Sequence, residues 1–127
     1  MKKAQSLLEI EALTENLMKK ECESGLLRNK VLTFISIYEN LPLSMMIEKI
    51  GIKKSNFALM CASLEKEGLI VSKTAPIDKR YRTLSLTEQG KAELNDYLNR
   101  IESYLGETPI EVENAIEVLS KYLNKRI

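Results

Sequence analysis

Histidine is absent from this 127-residue chain, and glycine (5), proline (3) and cysteine (2) are scarce. Without histidine the commonest general base and the commonest nitrogen ligand for metals are both missing. The cysteines, Cys22 and Cys61, do not form a pair at zinc-ligand spacing, and the few glycines do not gather into a phosphate-cradling loop. These absences argue against an enzyme and give no reason to expect a cofactor or a metal. Two cysteines also cannot build a disulfide framework, and no apolar run reaches membrane-spanning length. Lys2 and Lys3 are followed by Glu9, Glu11 and Glu15, which interrupt any apolar signal region. The expectation is a chain that stays in the reducing cytoplasm and does not enter a membrane. Cys22 sits near Lys19 and Lys20, yet Glu21 and Glu23 flank it and disfavour the thiolate that a redox sensor needs.

What the chain does have is an uneven distribution of charge beneath a net charge of only +1. Residues 53–82 carry Lys53, Lys54, Lys66, Lys73, Lys79, Arg80 and Arg82 against Glu65, Glu67 and Asp78, whereas residues 83–127 are acidic in balance. A concentrated basic block is the electrostatic footprint of a phosphate-binding surface, although a solvated protein surface can also carry such an excess.

Hydrophobic periodicity predicts the elements. Leu7, Ile10, Leu13 and Leu17 mark a first amphipathic helix over 6–20, with Ser6 and Glu9 at capping-box spacing. Leu27, Val31, Phe34, Ile35 and Tyr38 predict a second over 27–40, before Pro42 forbids continuation. Ser44 can cap a short third helix carrying Met46, Ile47 and Ile50, and Gly51 supplies a tight turn. A fourth helix, 55–67, has Phe57, Met60, Cys61 and Leu64 on one face, which makes Cys61 a small core residue. Past Gly68 the period shortens: Leu69-Ile70-Val71 and Thr83-Leu84-Ser85-Leu86 read as two strands. The intervening 73–82, with Pro76 and four basic residues, reads as a projecting wing. Thr87 can cap a fifth helix with Leu94, Leu98, Ile101 and Leu105, and Thr108-Pro109-Ile110-Glu111, with Thr108 as N-cap and Pro109 at the first helical position, opens a sixth with Val112, Ile116, Leu119 and Leu123. The length suits a single domain over 1–127. Its fold class is mainly α with a small β-hairpin wing.

Several fragments in this order carry a resemblance. Asn40-Leu41-Pro42-Leu43-Ser44 resembles the turn into the helix-turn-helix of the MarR family of bacterial winged-helix regulators, and Leu64-Glu65-Lys66-Glu67-Gly68-Leu69-Ile70 resembles the exit of that family's recognition helix. Asp78-Lys79-Arg80 followed by Leu84-Ser85-Leu86-Thr87-Glu88-Gln89-Gly90 is similar to its wing signature, an Asp-Arg-Arg run leading to a Leu-Thr-x-x-Gly helix start. The resemblance covers residues 27–127. It implies a winged helix-turn-helix over 27–86 and dimerisation helices in 1–26 and 87–127. It further implies a homodimer on double-stranded DNA, with helix 55–67 in the major groove and wing 73–82 in the minor groove, and leaves a small-molecule effector open. The apolar stripes of 6–20, 88–105 and 109–125 lie outside the winged core and agree with assembly.

On that reading Lys53, Lys54 and Ser55 meet a phosphate at the start of the recognition helix, and Asn56, Leu59 and Ser63 face the bases. Lys73, Lys79 and Arg82 add positive charge to the wing. Arg80 enters the minor groove, with Asp78 orienting a neighbouring basic chain. At exposed positions where family members often carry arginines, this helix departs from the pattern and offers Leu59 and Ser63 flanked by Ala58 and Ala62. No long basic side chain is available for bidentate contacts to guanine, so A·T-rich sites with modest specificity are expected. The rival reading is a winged helix that docks a protein through the apolar Ala58-Leu59-Ala62 face.

Overall fold

The computed structural model describes residues 1–20, 25–74 and 78–127. Among them the chain forms α1 (Lys2–Lys20), α2 (Leu26–Ile37), α3 (Leu43–Ile50), α4 (Lys54–Lys66), β1 (Ile70–Thr74), β2 (Arg82–Leu86), α5 (Glu88–Leu105) and α6 (Ile110–Asn124). The strands pair antiparallel, with Ile70 opposite Leu86 and Thr74 opposite Arg82. The architecture is mainly helical with one β-hairpin, the class that the periodicity predicts. No helix among the described residues is long and apolar enough to cross a membrane.

One core joins these elements. Val31, Leu32 and Ile35 of α2 are completely buried, and around them pack Met46 of α3, Phe57 and Leu64 of α4, Leu69 and the hairpin residues Ile70, Leu84 and Leu86, and Leu94, Tyr97 and Ile101 of α5. Neither α1 nor α6 has a buried residue. Asn124 near the end of α6 is nevertheless fastened to the core helices, its Oδ1 accepting from Lys49 Nζ at 2.5 Å and Tyr38 Oη at 3.2 Å.

Several boundaries differ from those expected. The first helix begins at Lys2, so Ser6 and Glu9 lie inside it and form no capping box. Lys2, Lys3, Ala4 and Gln5 are adequate helix formers, and nothing in that stretch stops propagation. The second helix ends at Ile37 rather than at 40. Pro42, not Ser44, is the N-cap of α3; its carbonyl accepts from the amides of Met45 and Met46, both at 3.1 Å. Pro109 likewise takes the N-cap of α6 in place of Thr108, whose hydroxyl bonds the Glu113 carboxylate at 3.1 Å. Both strands are longer than their side-chain patterns suggest, so Lys73 and Arg82 belong to the ladder rather than to the loop. Backbone pairing extends a strand past the residues whose side chains alternate. Gly51 adopts φ 76°, the left-handed conformation that closes the α3–α4 turn.

The start of α5 is stitched onto the exit of α4. Thr87 caps α5 by accepting from Gly90 N–H at 3.1 Å, donates its hydroxyl to Gly68 O at 2.6 Å, and donates its amide to Leu69 O at 3.0 Å. A Cβ on Gly90 would collide with that Leu69 carbonyl. Gly90→Ala should therefore cost about 1–3 kcal/mol from overpacking. Helix propensity alone would instead stabilise the variant by up to ~1 kcal/mol. Urea unfolding reads the sign, and a stabilised variant would contradict this close approach.

Candidate nucleic-acid interface

Helix α4 is held by two anchors, Phe57 and Leu64, seven residues apart and both buried. Their burial fixes the helix rotation and turns Ser55, Asn56, Ala58, Leu59, Ala62 and Ser63 to solvent. Leu59 is 72% exposed, a large apolar side chain standing open on that face. Lys53 stands at the N-cap in an extended conformation, and Lys54 is the first helical residue; both are exposed. Ser63 donates to Glu67 Oε2 at 3.4 Å, so its hydroxyl leans towards the end of its own helix.

The hairpin presents the remaining basic residues. Lys73 is exposed opposite Thr83 in the ladder, and Arg82 donates from Nε to Ser72 Oγ at 2.8 Å. Arg80 is held by Asp78 through Nη2 to Oδ2 at 2.7 Å and Nε to Oδ1 at 3.1 Å, while the Arg80 amide also donates to Oδ1 at 3.0 Å. The guanidinium lies 5.9 Å from the centroid of the Tyr81 ring and remains 83% exposed. Asp78 thus fixes the direction of Arg80 without burying it. The Arg80 side chain, with help from its amide, holds the Asp78 carboxyl below the usual carboxylate range. The pair stays ionised at neutral pH. Lys79 is exposed, and Pro76 lies outside the described residues.

A groove of about 590 Å³ joins these two surfaces: Leu43 and Ile47 of α3 and Phe57 and Cys61 of α4 line it together with Lys54, Arg80 and Arg82. It brings together three of the basic residues proposed from the sequence, whereas Lys53, Asn56, Leu59, Ser63, Lys73 and Lys79 stand outside it on exposed positions. Tyr81 also lines it, a residue that sequence reasoning overlooked; an aromatic directly after Arg80 was the available signal. Burial, with a smaller contribution from Glu65, pushes the Cys61 thiol up to about 11, so it is protonated and inert at neutral pH. Cys22 lies outside the described residues. A second groove, about 340 Å³, opens between α1, α2 and α5 and is lined by Met18, Phe34, Leu98 and Ile101 with Glu11, Glu15 and Lys30. Among the described residues no group of acidic or cysteine side chains is placed to hold a metal ion.

No family model matches the sequence, and no curated protein matches it. Solved structures match the fold over most of its length. The chain is similar to CouR from Rhodococcus jostii RHA1 bound to p-coumaroyl-CoA, with a TM-score of 0.72 and 19% identity over 92% of this chain and 87% of that one. Against the transcriptional repressor CouR bound to a 23-mer DNA duplex the TM-score is 0.67 at 20% identity, covering 91% and 89%. Against wild-type MarR from E. coli in its apo form it is 0.68 at 18% identity, covering 94% and 96%. The fold is that of MarR-type winged-helix proteins.

Proposed function

We propose that this chain is a DNA-binding transcription regulator that works as a homodimer, with α4 in the major groove and the hairpin wing in the minor groove. The observation that carries the reading is the convergence of Lys54 from the start of α4 with Arg80 and Arg82 from the hairpin on one groove. Elements distant in sequence contribute cations to one surface, which suits a polyanion better than a solubilising scatter of charge. The DNA-bound CouR structure, which has the same fold, supports the same reading.

On this proposal Lys53, Lys54 and Ser55 take a phosphate, and Lys73, Lys79 and Arg82 bind further along the DNA backbone. Arg80, already oriented by Asp78, enters the minor groove with little further ordering. Asn56 bonds adenine, Ser63 a base edge, and Leu59 with Ala58 and Ala62 packs on thymine methyls. Residues 1–127 act as one domain, in which 27–86 read DNA while 1–26 and 87–127 assemble the dimer. The groove between α1, α2 and α5 is the candidate site for a small-molecule effector, a role suggested by the CoA thioester bound to CouR. The chain carries no catalytic group in this scheme.

Binding to mixed-sequence DNA should weaken linearly in log salt, with a slope near −0.9 per phosphate neutralised. In the Lys79→Ala/Arg80→Ala double variant, affinity should fall across all sequences, and the slope should flatten by about 1 for each phosphate that is no longer neutralised. Unchanged affinity and slope, with an intact circular dichroism spectrum, would remove the wing from the interface. Salt-insensitive capture of a protein by the Leu59 face, without DNA binding, would favour the docking module instead.

Assembly follows from the outer helices. Leu8 and Leu13 of α1 and Ile110, Ile116 and Val118 of α6 are exposed, and apolar faces of this kind mark interaction surfaces. A second copy of the chain supplies the matching faces, and a two-fold dimer matches paired half-sites. Sedimentation at micromolar concentration should find a dimer; a monomer with native helicity would contradict the proposed geometry.

A further inference from the structure

We infer that Arg28 is the positioning residue of the reading helix: clamped between Glu67 at the end of α4 and Glu93 of α5, it sets how α4 is held against the flanking helix. The inference rests on the DNA-binding reading and names the residue on which the accuracy of that reading depends.

Arg28 lies in the first turn of α2, and its side chain is only 12% exposed. Its Nη1 donates to Glu67 Oε2 at 2.5 Å, while Nη2 donates to Glu67 Oε1 at 3.0 Å and to both oxygens of Glu93 at 3.0 Å. Its Nε is buried and has no hydrogen-bond partner among the described residues. A solubilising arginine would turn outwards and avoid that loss; this one is kept inside by its two carboxylates. Glu67 is the C-cap of α4 and also accepts from Ser63 on the exposed face, so the clamp reaches the last turn of the reading helix. Thr87 ties down the backbone exit at Gly68 and Leu69, and Arg28 adds a hydrogen-bonded side-chain link from the end of α4 to α5.

Glu67 takes Nη1 and Nη2 through its two oxygens while Nη2 also serves Glu93, a fork suited to a planar, multi-donor guanidinium and poorly served by the point charge of a lysine. Hydrogen bonding to Arg28 also holds the Glu67 carboxyl below its usual range, which keeps that carboxylate ionised around neutral pH. Without the guanidinium two like charges, each screened in part by solvent, face each other across the gap, and the clamp becomes a weak wedge between the end of α4 and α5. Base recognition by Asn56, Leu59 and Ser63 depends on the placement of α4, whereas long lysines on phosphates tolerate displacement. Loss of the clamp should therefore cost sequence discrimination while leaving the electrostatic grip intact.

The test compares wild type with R28K and R28M, all as the full chain, in two measurements. Amide exchange of the free protein reports the clamp itself. In R28K, residues 63–68 should exchange roughly tenfold faster while the centres of α2 and α5 keep their protection. The ratio of affinities for the best selected duplex and a random duplex should fall at least about fivefold in R28K and further in R28M, with the salt slope unchanged. Adding E67Q and E93Q to R28M should restore part of the protection, because it removes the wedge. Should R28K not fold, E67Q, which leaves Arg28 tied to Glu93, carries the same two expectations. Unchanged exchange at 63–68 overturns the clamp. Faster exchange with an unchanged affinity ratio overturns the positioning role. Wild type that binds neither duplex defeats the DNA reading and the positioning role together, and the exchange measurement, made without DNA, separates that failure from a clamp that does not hold.

Discussion

The core of this chain is built around one face of α2. Val31, Leu32 and Ile35 are sealed from solvent, and α3, the hairpin and α5 each pack on that helix. Burying side chains of this size contributes about 1.5–3 kcal/mol each, so this short stretch anchors much of the core. It also decides geometry. The same helix presents Arg28 to α4 and α5, and its C-terminal end offers Tyr38 to Asn124 of α6. The helix that carries the core thus also ties the end of α4 to α5 and meets the end of α6.

The surface divides its chemistry between two elements. Cations stand at the start of α4 and on the hairpin, while the middle of α4 offers alanine, leucine and serine. Phosphate attraction is long-ranged and indifferent to sequence, whereas apolar packing is short-ranged and depends on shape. On the proposed function, affinity comes from these charges and what specificity there is from the fit of the uncharged middle of α4. That division explains why fixed geometry matters here: Asp78 orients Arg80, and Phe57, Leu64 and Arg28 hold α4.

The core helices and the hairpin were legible because their signals are local. Repeats such as Phe57, Cys61 and Leu64 are set by helix period, and the Thr87 cap lies within three residues of the amide it accepts from. Starts were less legible where two cap candidates compete: Ser44 and Thr108 have the right side chains, but Pro42 and Pro109 occupy the turns that open α3 and α6. Ser6 misled for the opposite reason, since helix formers continue on both sides of it. The Arg28 clamp was out of reach, because its partners stand 39 and 65 residues away and no periodicity links them. The groove that Tyr81 lines belongs to the same kind of feature, created only when the hairpin folds beside α4.

On the proposed function, α4 reads DNA with an apolar face in place of guanine-binding arginines. A base-by-base substitution scan of the best selected site tests this most directly, with each major-groove position changed in turn and the loss of affinity measured. Losses should concentrate at A·T pairs, greatest where thymine methyls meet Leu59 and where adenine meets Asn56. A G·C pair in the major groove whose replacement costs more than ~2 kcal/mol would contradict an apolar reading face.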